Sequence, residues 1–482
     1  MNKTIQHIFA IAAVWLFNQT ALAQQADSGQ WKWQLPKQQT SMTLGEDTLS
    51  ATPAFGSHEN QHWWEIFGYQ QLNALTALAI SENQNIKIAE SKVGIAQEQV
   101  KVSKANLYPS VSLNPSFARQ EFSANRPMPF DVAAQRVSLN TYSVPLDLRY
   151  EVDIWGKAQS NVKASKYHLE ASNASQESIT LFIASEVAGN YIQLITLDTE
   201  NKILERTLTT RKENLEIVKT RYSAGLANEI DLQRAKTELS SVAVQLKHNQ
   251  LRRTEIELAL ATLAGQNAST FTLEQTGIKY LPPHINPVAS GALASNRPDL
   301  KVREFSIRAY EEQVKNAKKK LYPSLYLDGS LGLLSGSFDN LFESESRNWL
   351  AGVTLSIPLF EGGRRKSQFS ISKYQVQAVQ EEYKLQELMA NEEVERALSN
   401  LLRLNEQLVA QQEFLQAAQK AAELSGQRYL KGLVTYLEVV DAERIVLEAE
   451  RLSAQLLGQQ LLSTIRLIVA TGGEKGILEF GN

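Results

Sequence analysis

The 482-residue sequence contains no cysteine, and this absence removes several classes of protein at once. Without a thiol, the chain has no disulfide framework, no thiolate zinc site, no iron–sulfur cluster and no cysteine nucleophile. It also cannot carry a lipid on an N-terminal cysteine. An excess of positive charge is lacking too, because 49 basic and 52 acidic residues give a formal net charge of −3. Nucleic-acid binders carry a clear basic excess, so we expect no nucleic-acid partner.

Histidine is scarce as well, with 6 residues in the whole chain. One stretch, His58-Glu59-Asn60-Gln61-His62, has the spacing of the zinc protease motif, which requires both histidines on one face of a helix. Residues 52–57 before it are rich in turn formers, so we do not expect that helix. The sequence also has no glycine-rich phosphate loop and no nucleophile elbow. We therefore predict no catalytic residues, no metal site and no cofactor.

The first residues have the pattern of a secretion signal. Lys3 precedes the apolar stretch 8–17, and the small-residue sequence Ala21-Leu22-Ala23 follows it. About ten apolar residues are too few to span a bilayer, which needs roughly 20. We therefore expect cleavage after Ala23 and export across an inner membrane. We expect no later segment that is apolar enough to form a transmembrane helix.

The two halves of the sequence repeat the same order of motifs. Leu107-Tyr108-Pro109-Ser110 recurs as Leu321-Tyr322-Pro323-Ser324, a shift of 214 residues. Further along the chain the shift is 207, and it aligns Gly225-Leu226 with Gly432-Leu433. Ordered matches of this kind indicate an internal duplication.

Each half is predicted to contain the same elements. A helix that ends at Tyr-Pro precedes a stretch in which apolar and polar residues alternate, and this alternation predicts two strands in each half. The first strand of the first half is interrupted by Pro115. A helical stretch of about 68 residues follows, with apolar residues at the seven-residue spacing of a coiled coil. After a glycine the chain returns in a shorter helix, so each half forms a long helical hairpin.

The fold class predicted from these elements is mixed α and β, with two strands and one long helical hairpin in each half. Four strands per chain cannot close a barrel, and open sheet edges are not tolerated in lipid. A trimer would supply twelve strands around a lumen, whereas a dimer would supply eight with an interior filled by side chains. The aromatic residues at the strand ends fit an interfacial girdle: Tyr108, Tyr150, Trp155, Tyr322 and Phe360. The alternative is a soluble hairpin packed on the helices, with these aromatics in its core.

The predicted domain boundaries follow the duplication. A signal peptide (1–23) and an N-terminal segment (24–82) precede the first repeat (83–265), which contains a β-hairpin at about 110–153 and a tip near 225. A connecting segment (266–296) leads to the second repeat (297–472), with a β-hairpin at about 324–359 and a tip near 432. A C-terminal tail (473–482) ends the sequence.

This order of motifs, found twice in one chain, resembles the TolC-like outer-membrane efflux proteins. The segment Trp64-Glu65-Ile66-Phe67, followed by Leu72, Leu75 and Ala79, is similar to the start of the branch that serves resistance–nodulation–division pumps. The resemblance implies a homotrimer in outer-membrane lipid, with a twelve-stranded barrel and an α-barrel that projects through the periplasm. It also implies docking with a periplasmic adaptor protein and an inner-membrane pump, and passive export of small molecules or ions.

The resemblance also implies roles for the hairpin tips. Tyr429, Glu438 and Asp441 match the tyrosine and the acidic residues that constrict the periplasmic mouth in this family. The adaptor-docking turns match two triplets: Gly225, Leu226 and Ala227, and Gly432, Leu433 and Val434. The family has a basic latch residue where Val434 stands. The plain alternatives are solvated charges at a helix start and ordinary helix–helix turns.

We therefore expect an outer-membrane exit duct without catalysis of its own. A second hypothesis of the same class is the outer-membrane duct of a type I protein-secretion system. A hypothesis of another class is a periplasmic structural coiled-coil protein. No feature of the sequence identifies the exported cargo.

Overall fold

The computed structural model of the chain describes residues 41–44, 47–50, 62–124, 136–283 and 296–473. The predicted signal peptide, residues 58–61 of the histidine motif and residues 474–482 of the tail lie outside these ranges. His62, the last residue of that motif, stacks on Trp64 with 4.5 Å between ring centroids. The described part is mostly helical, with one antiparallel sheet and a short strand pair, and the elements of its two halves repeat.

The described residues form seven α-helices and two short 3₁₀ helices, Trp63–Phe67 and Ser344–Ser346. The α-helices are α1 (Gln70–Glu82), α2 (Gln84–Ala105), α3 (Lys157–Ser223), α4 (Glu229–Leu263), α5 (Pro298–Lys319), α6 (Arg364–Leu430) and α7 (Tyr436–Ala470). The long helices α3 and α6 each have 67 residues, and the return helices α4 and α7 each have 35. Both pairs are related by the same shift of 207 residues, which the tip motifs in the sequence also show.

The strands form a sheet that each half supplies in part. A short pair, β1 (Ser41–Leu44) and β2 (Asp47–Ser50), stands apart from it. The main sheet contains β3 (Ser110–Leu113), β4 (Ser116–Phe122), β5 (Val137–Val152), β6 (Ser324–Ser335) and β7 (Arg347–Ser356). Strands β3 and β4 pair with successive parts of β5, and the order continues through β6 to β7. The break between β3 and β4 contains Pro115, so these two segments together act as one strand of a four-stranded sheet.

The two faces of the sheet differ in polarity. Residues directly opposite each other in antiparallel strands share a face, so the register of β5, β6 and β7 defines both faces. One face is largely apolar, with Val144, Leu146, Leu148, Leu325, Leu327, Leu331, Leu333, Trp349, Val353 and Leu355. The other carries Asp147, Arg149, Glu151, Asp328, Ser330 and Thr354. This two-residue alternation is what a strand between lipid and water requires.

Aromatic side chains lie at both ends of the apolar face. Next to the helices, the rings of Trp155 and Tyr322 are 5.1 Å apart. At the far end, Tyr142 lies 4.7 Å from Phe117 and 5.8 Å from Phe338. The sequence predicted the first group but not the second. Ten residues of β5 separate the two groups, from Tyr142 to Val152. At about 3.3 Å per residue and a strand tilt of about 40° to the barrel axis, this distance corresponds to a height of roughly 25 Å, which is the height of a membrane-spanning apolar band.

The sheet does not form the soluble, helix-packed hairpin of the alternative hypothesis. Every residue of β7 is exposed in the single chain, and so is every residue of β3. Trp349, on the apolar face of β7, is 74% exposed. A soluble hairpin would cover such residues, because burial of large apolar side chains is the main term that stabilises a small sheet.

The helices continue the open arrangement of the sheet. Near the strands, α3 packs between α2 and α5, and α6 packs on the far side of α5. Toward the hairpin tips, α4 packs on α3, α3 on α7, and α7 on α6. The outer helices carry exposed apolar residues seven positions apart, on α2 at Ile88, Ile95 and Val102 and on α4 at Val244, Leu251 and Leu258. These stripes have the spacing of a coiled-coil seam.

The main hydrophobic core lies around the middle of α3. Trp63, Phe67 and Leu72 from the N-terminal segment pack there with Tyr191 and Ile195 of α3. The connecting segment crosses the same region, where the Ile278 amide donates to Thr199 Oγ1 at 2.8 Å. Described residues of the segments before and after the first repeat therefore pack around the middle of α3.

Among the described helices, α3 has one 18-residue window that is apolar enough to cross a membrane by composition. The expectation of no such segment is therefore wrong. Half of that window is buried inside the chain, and the core around Tyr191 accounts for its apolar composition.

Gly332 of β6 offers a test of the sheet. A Cβ at this position would lie 2.3 Å from the Val144 carbonyl oxygen and 2.6 Å from Pro145 Cα of β5. Gly332→Val should therefore separate β5 from β6 and destabilise the folded protein by about 3 kcal/mol or more. Unfolding by guanidinium in detergent, followed by tryptophan fluorescence, measures this loss. Gly352→Val in β7 is the matched control, because nothing lies within 4 Å of a Cβ there; equal stability of the two variants would contradict this account of the sheet.

Candidate functional site at the hairpin tips

Both hairpins turn through the same local structure. Gly225 and Gly432 have φ values of 73° and 75°, which side chains other than glycine rarely adopt. The amide of Leu226 donates to the Arg221 carbonyl at 2.8 Å, and the amide of Leu433 donates to the Arg428 carbonyl at 3.0 Å. Each glycine is therefore the left-handed residue of a helix-terminating Schellman motif.

The leucine after each glycine is exposed. Leu226 is 71% and Leu433 is 66% exposed. In a Schellman motif, the residue at this position usually packs against the preceding helical turn. Here the two leucines present apolar surface to the outside at the end of the molecule, so the prediction that they bind a partner has a suitable surface.

The return helices begin differently in the two halves. In the first half, the Asn228 side chain accepts a hydrogen bond from the Asp231 amide at 2.8 Å and so caps α4. In the second half, the corresponding residue Thr435 makes no side-chain cap. The two tips therefore share a backbone turn but differ in the residues that follow it.

Tyr429 lies at the contact between the two hairpins. Its ring is 8% exposed and packs 5.5 Å from the ring of Tyr436. The Arg221 guanidinium of the first hairpin lies 4.9 Å from the centre of the Tyr429 ring. The hydroxyls of both tyrosines are buried without a hydrogen-bond partner. Burial raises the pKa of Tyr436 to about 12 and also raises the pKa of Tyr429.

The two predicted gate carboxylates lie on the outside of α7. Glu438 and Asp441 are exposed, whereas Val439 and Val440 between them are buried against the first hairpin. Spacing of three residues places both acids on one side of the helix. Neither carboxylate is part of the buried contact between the hairpins, so both are free to face a partner, another copy or a lumen.

Positive side chains lie at the same level as these acids. A cavity of about 480 Å³ opens between the first turns of α4 and α7, lined by Ile230, Leu437 and Val440 together with Arg234 and Arg444. Arg234 also lies 4.0 Å from Asp231 of its own helix. The tip therefore carries charges of both signs and is not purely acidic.

A buried ionic cluster, which the sequence analysis missed, joins the hairpins just above the tip. The side chain of Arg211 on α3 is 2% exposed and binds Glu443 of α7, and Arg444 binds Glu238 of α4. Asn214 donates to Glu443 at 2.9 Å. Burial raises the pKa of the Glu443 carboxyl, although Arg211 acts in the opposite direction. The signal in the sequence is the adjacent pair Glu443-Arg444, but its partners lie more than 200 residues away.

Comparisons with known proteins give a consistent result. A family model described as outer membrane efflux protein matches residues 75–266 and 289–473, one match to each half. The chain is 28% identical to the pyoverdine export outer membrane protein OpmQ of Pseudomonas aeruginosa, over 76% of this chain and 77% of that protein. It is 24% identical to the cation efflux system protein CusC of Escherichia coli K12, over 76% and 78%. The solved outer-membrane channel OprN matches with a TM-score of 0.81 at 25% identity, over 92% of this chain and 99% of that chain.

The raised pKa of Glu443 predicts a pH dependence of stability. A carboxyl whose pKa is higher in the folded state binds its proton more tightly there, so its contribution to stability is complete below the unfolded pKa of about 4.3 and is lost as the pH rises through the folded value. Glu443→Gln cannot titrate. The stability of the variant relative to the wild type should therefore increase as the pH rises from 4 to 8.

Urea unfolding at several pH values, followed by circular dichroism, measures this difference. Glu438→Gln is the matched control, because Glu438 is an exposed residue of the same helix. A difference between Glu443→Gln and wild type that stays constant over this pH range would contradict the assignment.

Proposed function

The chain belongs to the outer membrane efflux protein family and is a channel protein of the outer membrane; we propose that three copies of it form the exit duct of a tripartite efflux pump. Proteins of this family work with a periplasmic adaptor and an inner-membrane pump, and the family consists of channels rather than enzymes. Transport through the duct is passive in this proposal, and the pump supplies the energy.

The observation that carries the proposal is the four-stranded sheet with one apolar face and two unpaired edges. In lipid every backbone polar group needs a partner, so β3–β4 of one copy must pair with β7 of the next. Twelve strands from three copies enclose a water-filled lumen, whereas eight from two copies leave little space. The exposed apolar stripes on α2 and α4 fit the same closure, because they lie on the outer helices of the helical layer.

The polar face of the sheet is then the wall of the lumen. Its side chains pair with one another: the Asn114 amide donates to Asp147 at 2.9 Å, and Arg149 lies 3.7 Å from Asp328. The described residues of the N-terminal segment (24–82) and of the connecting segment (266–296) that pack around the middle of α3 would form an equatorial part of the duct. The helical hairpins extend beyond them as the periplasmic part of the duct.

The cargo class follows from the function of the relatives. OpmQ is named for pyoverdine export and CusC for cation efflux, so relatives of similar distance serve different cargoes. We propose export of small molecules or ions, with selection by the pump. No described residue favours the protein-secretion duct of the second hypothesis.

We further propose that the hairpin tips perform two tasks. The two tip triplets dock on helices of the adaptor, with Leu226 and Leu433 as the central contacts. The other members of the triplets are Gly225, Ala227, Gly432 and Val434. Tyr429, Glu438 and Asp441 form the gate that narrows the periplasmic mouth. The exposure of both leucines and the contact of Tyr429 with Arg221 support these assignments.

Replacement of the tip leucines tests the docking proposal. Leu433→Glu and Leu226→Glu put a charge on surface that would be desolvated against the adaptor, which weakens such contacts by several kcal/mol. We expect each variant to reduce efflux in cells by about tenfold or more, measured with the cognate pump and adaptor. Leu430→Glu is a matched control, because Leu430 is 64% exposed but precedes the turn.

Trimer mass in detergent and the amount of protein in the outer membrane should stay normal in both tip variants. Normal efflux in both would contradict docking through the leucines. A stable monomer of the wild-type protein in native mass spectrometry would contradict the proposal that three copies form a duct.

Removal of the gate side chains tests the second task. In planar bilayers the wild type should have low conductance, a preference for cations and block by trivalent cations from the periplasmic side, because rings of carboxylates concentrate cations. Glu438→Ala combined with Asp441→Ala should lose the preference and the block. Tyr429→Ala should raise conductance, because it removes the ring that packs on Arg221 and Tyr436.

Tyr429→Phe is the matched control for the tyrosine. Its hydroxyl has no hydrogen-bond partner, so its loss should leave conductance near the wild-type value. If the double carboxylate variant keeps both the block and the cation preference, the acidic ring lies elsewhere in the duct.

A further inference from the structure

Two pairs of ionised residues recur one heptad apart on α7. Glu443-Arg444 is followed seven residues later by Glu450-Arg451. Both pairs bind residues of the first hairpin, so they form two rungs of a ladder between the hairpins. We define this ionic ladder as the contacts of these four α7 residues with Arg211, Arg206 and Glu200 of α3 and Glu238 of α4.

The rung formed by Glu450 and Arg451 is centred on Glu200, whose side chain is 2% exposed. Arg451 donates to one Glu200 oxygen through Nε at 3.1 Å and Nη2 at 2.9 Å. Amides complete the site: Asn249 and Gln455 donate to Glu200 at 3.2 and 3.1 Å. Beside it, Arg206 binds Glu450, whose side chain is 6% exposed. The carboxylates of this rung are therefore buried and fully dependent on partners from both hairpins.

Burial makes the ladder selective rather than strongly stabilising. The attraction within a buried ion pair is little larger than the cost of removing both charges from water. A buried charge without its partner, however, is strongly unfavourable. An arrangement that separates Glu200 from Arg451 is therefore penalised much more than the correct arrangement is stabilised. Selectivity of this kind matters in a chain whose two hairpins have the same length and the same turn.

The duplication provides an internal comparison. Shifted by 207 residues, the pair Glu200 and Arg451 corresponds to Gln407 and Val244, and none of the other pairs keeps opposite charges. The remaining correspondences are Arg206 with Glu413, Glu450 with Ala243, Arg211 with Ala418, Glu443 with Lys236, Glu238 with Ile445, and Arg444 with Thr237. The shifted positions lie on α6 and α4, the outer helices that another copy would cover, except for Ile445, which lies on α7. Val244 belongs to the exposed apolar stripe of α4.

A buried asparagine adds to this asymmetry. Asn201 is 3% exposed, and neither its oxygen nor its nitrogen has a partner. It interrupts the heptad positions Leu194 and Leu208, and its counterpart in the second half is Leu408. A single polar residue in a coiled-coil core fixes register at the expense of stability.

From these contacts we propose that the ionic ladder is the element that pairs the two duplicated hairpins correctly. It directs α7 onto α3 of its own chain in one register, and the equivalent positions between copies do not keep its ion pairs. The inference concerns pairing within the chain and does not depend on the transport function.

A disulfide across the same seam reports the pairing directly. Gly458 lies on α7 one heptad beyond Arg451, and a Cβ there would be 3.2 Å from Thr196 Cβ of α3. This is close to the separation that a disulfide requires. Because the chain has no cysteine, Thr196→Cys with Gly458→Cys creates a unique pair. Pairing within the chain gives a cross-linked monomer, whereas pairing between copies gives a covalent dimer on a denaturing gel.

Charge reversal is then tested in this reporter, expressed as the full chain in the outer membrane. Glu200→Arg or Arg451→Glu alone places like charges together in the seam. Each should lower the cross-linked monomer by about tenfold or more, with any remaining disulfide found in dimers. The double reversal should restore the cross-linked monomer, because the neighbours of both residues are amides that can present either an oxygen or an N–H. Asn249 and Gln455 donate to Glu200, and Gln245 accepts from Arg451 at 3.0 Å.

The outcomes separate cleanly. Full monomer cross-linking in either single reversal would overturn the proposal, since the ladder would then not control pairing. If the double reversal does not restore the cross-linked monomer, the proposal is overturned as well, because complementary charge would then not control the pairing. The matched control reverses Lys420 and Glu423, an exposed pair on α6 joined at 2.8 Å, and should leave cross-linking unchanged.

Discussion

Hydrogen bonding of the strand edges is the constraint on which the rest of this structure depends. A backbone amide or carbonyl in lipid has no water to bind, so β3–β4 and β7 cannot remain as they are in a single chain. The helical layer has the same limitation in a weaker form, because its outer helices expose apolar heptad residues such as Ile95 and Leu251. The sheet and the helices are open on the same two sides, so one assembly step completes both.

The internal duplication gives this chain two similar hairpins, which must nevertheless pair with different neighbours. Helices α3 and α6 have the same length, and the turns at Gly225 and Gly432 have the same hydrogen bonds. Apolar heptads alone would allow either hairpin to take the place of the other. Charged residues resolve the ambiguity, because they differ between the halves where the apolar framework does not.

Local patterns predicted the elements of this fold well, since each depends on residues that are close in the sequence. Prolines after Tyr108 and Tyr322, glycines at the tips and the alternation around Leu148 are signals of this kind. The ladder was not predictable, because Glu200 and Arg451 are 251 residues apart and each alone reads as a solvated charge. The same holds for Tyr142, whose aromatic neighbours Phe117 and Phe338 come from two other segments. At the tip, sequence placed the acids but not Arg444, whose partner Glu238 lies in the other half.

The equal length of the two hairpins has a consequence for stoichiometry. Each hairpin combines a helix of 67 residues with one of 35, so the turns at Leu226 and Leu433 lie at the same distance from the start of their long helices. Three copies would present six near-equivalent turns in one plane. A partner that recognises the shared turn alone would bind six times around the rim. A partner that distinguishes the Asn228 cap from Thr435 would bind three times, so the ratio of partner to duct reveals which residues it contacts.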